Sequence, residues 1–225
     1  MNTREKAWRF TKRVAAVGSV ALLGATAALV APATAAHAQG TTIDGLDYGP
    51  LAQFIGTWKS ANAVGVDVAP GDTGSRVGAG GRAVSPFYET ITFTPAGGAT
   101  NDSVQDLAAV AYHQAVFRIS NNHQFHDQIG YLIYDKVRHT VYDTFCIPRA
   151  VCGVAEGKPG NKMTLTTLSK GIAESQFMLK NDKTLGYSIT YDISGSTLSF
   201  TQETKLYVYG KPFSHVDSDT LRKIN

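Results

Sequence analysis

Apolar and polar positions alternate along much of this chain, most plainly toward its C-terminal end. Leu185, Tyr187, Ile189, Tyr191 and Ile193 stand against Gly186, Ser188, Thr190 and Asp192, a Ser194-Gly195 turn follows, and Leu198, Phe200, Leu206 and Val208 resume the same phase. A period of two sends successive side chains to opposite faces of a strand, so this stretch predicts a hairpin with one buried face. Similar strand-like runs cover residues 57–66, 87–94, 107–119, 123–134, 140–145, 151–156, 163–168 and 174–179. Helical periodicity is weak after residue 38, with one short turn expected at 50–54 and another near 103–107.

About ten consecutive strands joined by short turns, with no interleaved helices, predict an all-β fold: an antiparallel up-and-down β-barrel, lipocalin-like or fatty-acid-binding-protein (FABP)-like. Closure removes exposed edges, and a barrel of this size can enclose a small-molecule cavity. The alternative is a β-sandwich. Residues 70–86, with five glycines and no apolar pattern, predict a loop between the first two strands.

The first 38 residues obey different rules. Arg4, Lys6, Arg9, Lys12 and Arg13 precede a small-residue apolar run over 14–30, and Ala36-His37-Ala38 offers an A-x-A cleavage site. This predicts a secretory signal peptide over 1–38, a tether over 39–49 and one domain over 50–225, exported and released outside the cell. No later run is long and apolar enough to predict a membrane span. Without that segment Lys plus Arg falls from 21 to 16 and Asp plus Glu from 18 to 17, turning a formal +3 into −1. The basic character belongs to the signal, so no nucleic-acid partner is expected.

Cys146 and Cys152 flank a five-residue turn. In an oxidising compartment they predict a cross-strand disulfide, with two free thiols as the other reading. Two sulfurs without suitably spaced histidines do not make a zinc site, and neither a Gly-x-Ser-x-Gly elbow nor a phosphate-binding glycine loop is present. Among the five histidines beyond the signal, two stand out. His215 follows Gly210-Lys211-Pro212, a break that predicts a rim turn holding the imidazole inward; His126 precedes Gly130-Tyr131, where a strand glycine admits a close neighbour. One axial histidine in an aromatic pocket suffices for haem, and aromatic residues are plentiful.

Several segments, in order, resemble the nitrobindin family of haem-binding β-barrels. Pro50-Leu51-Ala52-Gln53-Phe54-Ile55-Gly56-Thr57-Trp58 is similar to the family's opening, and residues 86–93 to its second strand. Phe125-His126-Asp127-Gln128-Ile129-Gly130-Tyr131-Leu132 is similar to the segment with a distal-side histidine. Residues 211–216, with Leu221-Arg222 beyond, resemble the motif carrying the proximal ligand. The resemblance spans roughly residues 50–223.

It implies a ten-stranded barrel holding haem b near its mouth, with His215 as the axial iron ligand, His126 on the opposite side, and Trp58, Phe125 and Tyr131 in the pocket. It further implies handling of nitric oxide or haem-dependent isomerisation of peroxynitrite to nitrate. The alternative function is a carrier of a lipid or other hydrophobic ligand, without catalysis. Two departures stand out. The family's ladder of alternate glycines after the tryptophan is occupied here by Ser60, Asn62 and Val64, with Gly65 out of phase, and the His215–Leu221 spacing is one residue long.

Overall fold

The computed structural model describes residues 40–61, 64–101 and 104–225. The signal-peptide segment therefore lies outside the described residues, as does part of the turn expected near 103. Within the described residues no helix is long and apolar enough to cross a membrane.

Among the described residues thirteen strands follow in order: β1 (Thr42–Ile43), β2 (Leu46–Asp47), β3 (Gly56–Ser60), β4 (Gly65–Pro70), β5 (Arg82–Asn101), β6 (Gln105–Arg118), β7 (Gln124–Asp135), β8 (Thr140–Ile147), β9 (Val151–Gly157), β10 (Lys162–Glu174), β11 (Asp182–Ser194), β12 (Thr197–Val208) and β13 (Lys211–Lys223). A 3₁₀ turn spans Gly49–Phe54, and one short helix, α1 (Gln176–Asn181), links β10 to β11. β1 and β2 form a small hairpin where the sequence suggested a plain tether.

β5 to β12 pair as an uninterrupted antiparallel meander, and β13 pairs back onto β12. β3 and β4 both lie between β5 and β13, so they share one lane and the wall closes with ten lanes. Between the pairs Lys59–Thr90 and Gly65–Phe87 the chain takes six residue steps on one side and three on the other. This difference sets the phase of β4 against β5. Gly65 is therefore buried opposite Phe87 instead of lying out of phase, and a Cβ there would stand 2.4 Å from the Phe87 ring.

The 3₁₀ turn plugs one end of the barrel. Leu51 and Phe54 are fully buried, and Phe54 meets Phe93 and Tyr191 edge-on, each at 5.5 Å between centroids. The indole of Trp58 is fully buried beneath it and donates from Nε1 to the Phe54 carbonyl at 2.7 Å. An aromatic side chain buried this way contributes several kcal/mol, roughly 3–5 when truncated to alanine. Ile193, Leu198 and Leu221 belong to the same cluster.

Four local expectations are corrected by the fold. Residues 176–179 are helix and not strand, because the Ser175 hydroxyl accepts from the Met178 N–H at 3.3 Å and caps α1. The loop runs only from Gly71 to Gly81, since Arg82 already pairs with Pro70. Leu185 faces solvent, because a register shift between Thr184 and Gly186 turns it outward and buries Thr184 instead. Lys211–Lys223 is a full strand with twelve residue pairs to β12. Its inward positions include His215, Asp217 and Asp219 before Leu221, so polar chemistry hid the alternation.

Candidate functional site

At the end opposite the plug, the strands enclose a cavity of about 230 Å³ that contains both candidate histidines. Its apolar wall includes Phe87, Val116, Phe125, Ile147, Met178 and Leu206. It shares Phe125, His126, Ile147 and Arg149 with a cleft of about 320 Å³, and Asp67, Ala69 and Arg118 with another of about 500 Å³ bordered by the 71–81 loop.

His215 stands in the middle of β13, paired with Thr204 on β12, and not in a proline-braced rim turn as its sequence context suggested. Strand alternation, not a rigid turn, aims the ring inward. Its Nε2 lies 2.8 Å from Oδ1 of Asp67 and 3.5 Å from Oδ1 of Asp217. These carboxylates face each other directly across the β4–β13 pair. Like charges so placed repel, and the imidazole between them relieves the repulsion. Burial by itself disfavours the charged ring, but hydrogen bonds to Asp217 and Asp67 outweigh it and push the His215 pKa up to about 10. Burial also raises the Asp67 carboxyl, against the pull of His215.

His126 lines the same cavity from β7, where a register shift between Val116 and Phe117 leaves an extra residue on its side. Burial lowers its pKa, so it is held neutral. Two histidines in one cavity thus carry opposite preferences, set by whether carboxylates stand beside the ring.

Behind the histidines lies a polar layer. Gln202 reaches Asp217 at 3.4 Å, and the Tyr187 hydroxyl lies 3.2 Å from Oε1 of Gln202 and 3.4 Å from Asp143. Tyr112 donates to Asp143 at 2.9 Å and accepts from Gln128 at 2.9 Å. Burial raises the Asp143 carboxyl to about 7 and drives Glu89, bonded to Gln114, well above the carboxylate range. Gly130 makes room for this layer, since a Cβ there would come within 2.9 Å of the Tyr112 ring.

Three of the five predicted pocket residues, His215, His126 and Phe125, meet in the cavity. Two do not. Trp58 belongs to the plugged end, and Tyr131 is 48% exposed on the outer face because it alternates with Gly130. His113 and His123 are exposed, and His139 bonds Tyr134. Sequence reasoning missed Asp67, Asp217 and Arg118. The run Ser214-His215-Val216-Asp217-Ser218-Asp219 carries the period of two, with charge in place of apolar side chains. Cys146 and Cys152 pair directly across β8 and β9 and form the expected disulfide.

No curated protein matches this chain. Among solved structures it is similar to the crystal structure of Rv2717c from M. tuberculosis, at a TM-score of 0.54 and 16% identity, over 78% of this chain and 95% of that one. At that identity the likeness speaks for the fold. The family model described as a THAP4-like, heme-binding beta-barrel domain matches residues 47–223, the plug, all ten lanes and the two-histidine cavity included. The chain belongs to this haem-binding β-barrel family, the nitrobindin family, whose cofactor is haem.

Proposed function

We propose that this protein is exported and would hold haem b at the mouth of its barrel, with His215 supplying the imidazole to the iron and His126 lining the same site. One observation carries the reading: two imidazoles from distant strands line a single cavity together with Phe87, Val116, Phe125, Phe145, Ile147 and Leu206. The donor set suits haem, which takes one imidazole nitrogen from the protein and an apolar surround. The disulfide accords with export into an oxidising compartment.

The chain's own groups have distinct tasks in this reading. Nε2 of His215 must give up its proton to present a lone pair, and the Asp67 carboxylate at 2.8 Å, which favours the protonated ring, opposes that step. His126, neutral through burial, can accept or donate a hydrogen bond on the far side. Phe87, Val116 and Phe125 exclude water from the space between. When bound, haem supplies iron that takes up nitric oxide and acts as a Lewis acid toward the peroxynitrite anion. Scavenging of reactive nitrogen species is the activity we assign.

Haemin titration of the purified protein tests the proposal. A saturable Soret band is expected, and it should be lost or shifted in His215→Ala. A His215→Ala spectrum identical to wild type at saturating haemin would reject His215 as the ligand. The same apolar wall suits a carrier of hydrophobic ligands, and native mass spectrometry of freshly secreted protein separates the two readings by the mass retained.

A further inference from the structure

We propose that Arg118, assisted by Arg149, anchors the carboxylates of the bound ligand, which on the haem reading above are the porphyrin propionates. Arg118 closes β6 opposite Phe87 and is half-buried. Its guanidinium sits 4.2 Å over the Phe125 ring, and its side chain lines both the histidine cavity and the cleft beside it. Among the described residues, no carboxylate lies within ion-pair distance of it. The two acidic groups that line the cavity, Asp67 and Asp217, are held by His215.

A half-buried guanidinium without an anion is a receptor. It presents five N–H donors in a planar fork, accepts nothing, and matches a carboxylate in two-point fashion. Stacking on Phe125 fixes the plane of that fork. Arg149 lines the same cavity from the hairpin tip that the disulfide ties together. Its Nη2 holds Asp182 at 2.9 Å, yet the side chain is 60% exposed and has further donors to offer.

Two cations at the mouth and an apolar wall within select a ligand that is apolar at one end and carries carboxylates at the other. A neutral hydrophobic ligand would cover Arg118 and leave its donors without an acceptor, which is costly. Net charge does not provide this selection, because the chain beyond residue 38 is slightly acidic overall.

The test compares haemin, haemin dimethyl ester and dodecanoate on wild type, Arg118→Gln and Arg149→Gln, read by Soret titration for the porphyrins and calorimetry for the fatty acid. Wild type should bind haemin about tenfold or more tightly than the diester, and Arg118→Gln should remove most of that difference while binding the diester like wild type. Arg149→Gln should show a smaller loss. Equal affinity of wild type for haemin and diester, or an unchanged haemin affinity in Arg118→Gln, would overturn the anchor while leaving haem binding standing. Failure of wild type to bind either porphyrin would overturn both proposals, and Arg118-dependent binding of dodecanoate in that case would assign the anchor to a fatty-acid carboxylate instead.

Discussion

Asp67 and Asp217 face each other across two adjacent strands, and the Nε2 of His215 occupies the space between them, 2.8 Å from the first and 3.5 Å from the second. The nitrogen that would ligate iron in the proposed function is thereby already engaged by a carboxylate.

Removing that competitor should favour the cofactor. Asp67→Ala is expected to bind haemin several-fold more tightly than wild type, measured by Soret titration at fixed pH. Its stability should fall only slightly, by about 1 kcal/mol, because the lost bond to His215 is offset by relief of the repulsion from Asp217. Weaker haemin binding would show that Asp67 positions the ring instead of holding it back.

Asp143 should write a pH dependence into stability. Its pKa is about 7 in the folded protein, raised by burial, against an ordinary value of 3.8. The folded state therefore holds the proton more tightly than the unfolded chain. The stability this confers is full below pH 3.8 and is lost as pH rises through 7, on the order of 4 kcal/mol at most. Asp143→Asn, a mimic of the protonated acid, should gain on wild type between pH 4.5 and pH 8 in urea unfolding. A constant difference across that range would refute the assignment.

The disulfide should matter for stability and little for the fold. Cys146 and Cys152 already pair in the β8–β9 ladder, and they close a short loop six residues apart in sequence. Chain entropy predicts a loss of about 2 kcal/mol for the Cys146→Ala, Cys152→Ala variant, seen as a lower denaturant midpoint with an unchanged far-ultraviolet circular dichroism spectrum.

Trp58 and Tyr131 separate the pocket from the family motif. Trp58→Ala should cost roughly 3–5 kcal/mol through loss of the plugged core. Trp58→Phe should keep the fold and leave haemin affinity unchanged, since the ring lies away from the cavity. Tyr131→Ala, on the outer face, should change stability by less than about 0.5 kcal/mol and leave the Soret titration as in wild type.

The amino-acid sequence by itself determined the fold class, because alternation with a period of two is a local property that survives in any strand with one buried face. Tyr187, Ile189, Tyr191 and Ile193 show it with apolar side chains and were legible at once. The order of family-like segments pointed to His126, Phe125 and His215, and those three do share one cavity.

Tertiary structure alone decided the rest. β13 was invisible because its inward residues include His215, Asp217 and Asp219, whose burial depends on partners contributed by β4 and β12. The phase of Gly65 and Asp67 is set by the pairing of β4 with β5. The charge of each histidine followed in the same way. Both rings are half-buried in one cavity, and the approach of Asp67, 148 residues distant in sequence, makes His215 basic while His126 stays neutral. Strand periodicity is encoded by neighbours in sequence; electrostatics is set by neighbours in space.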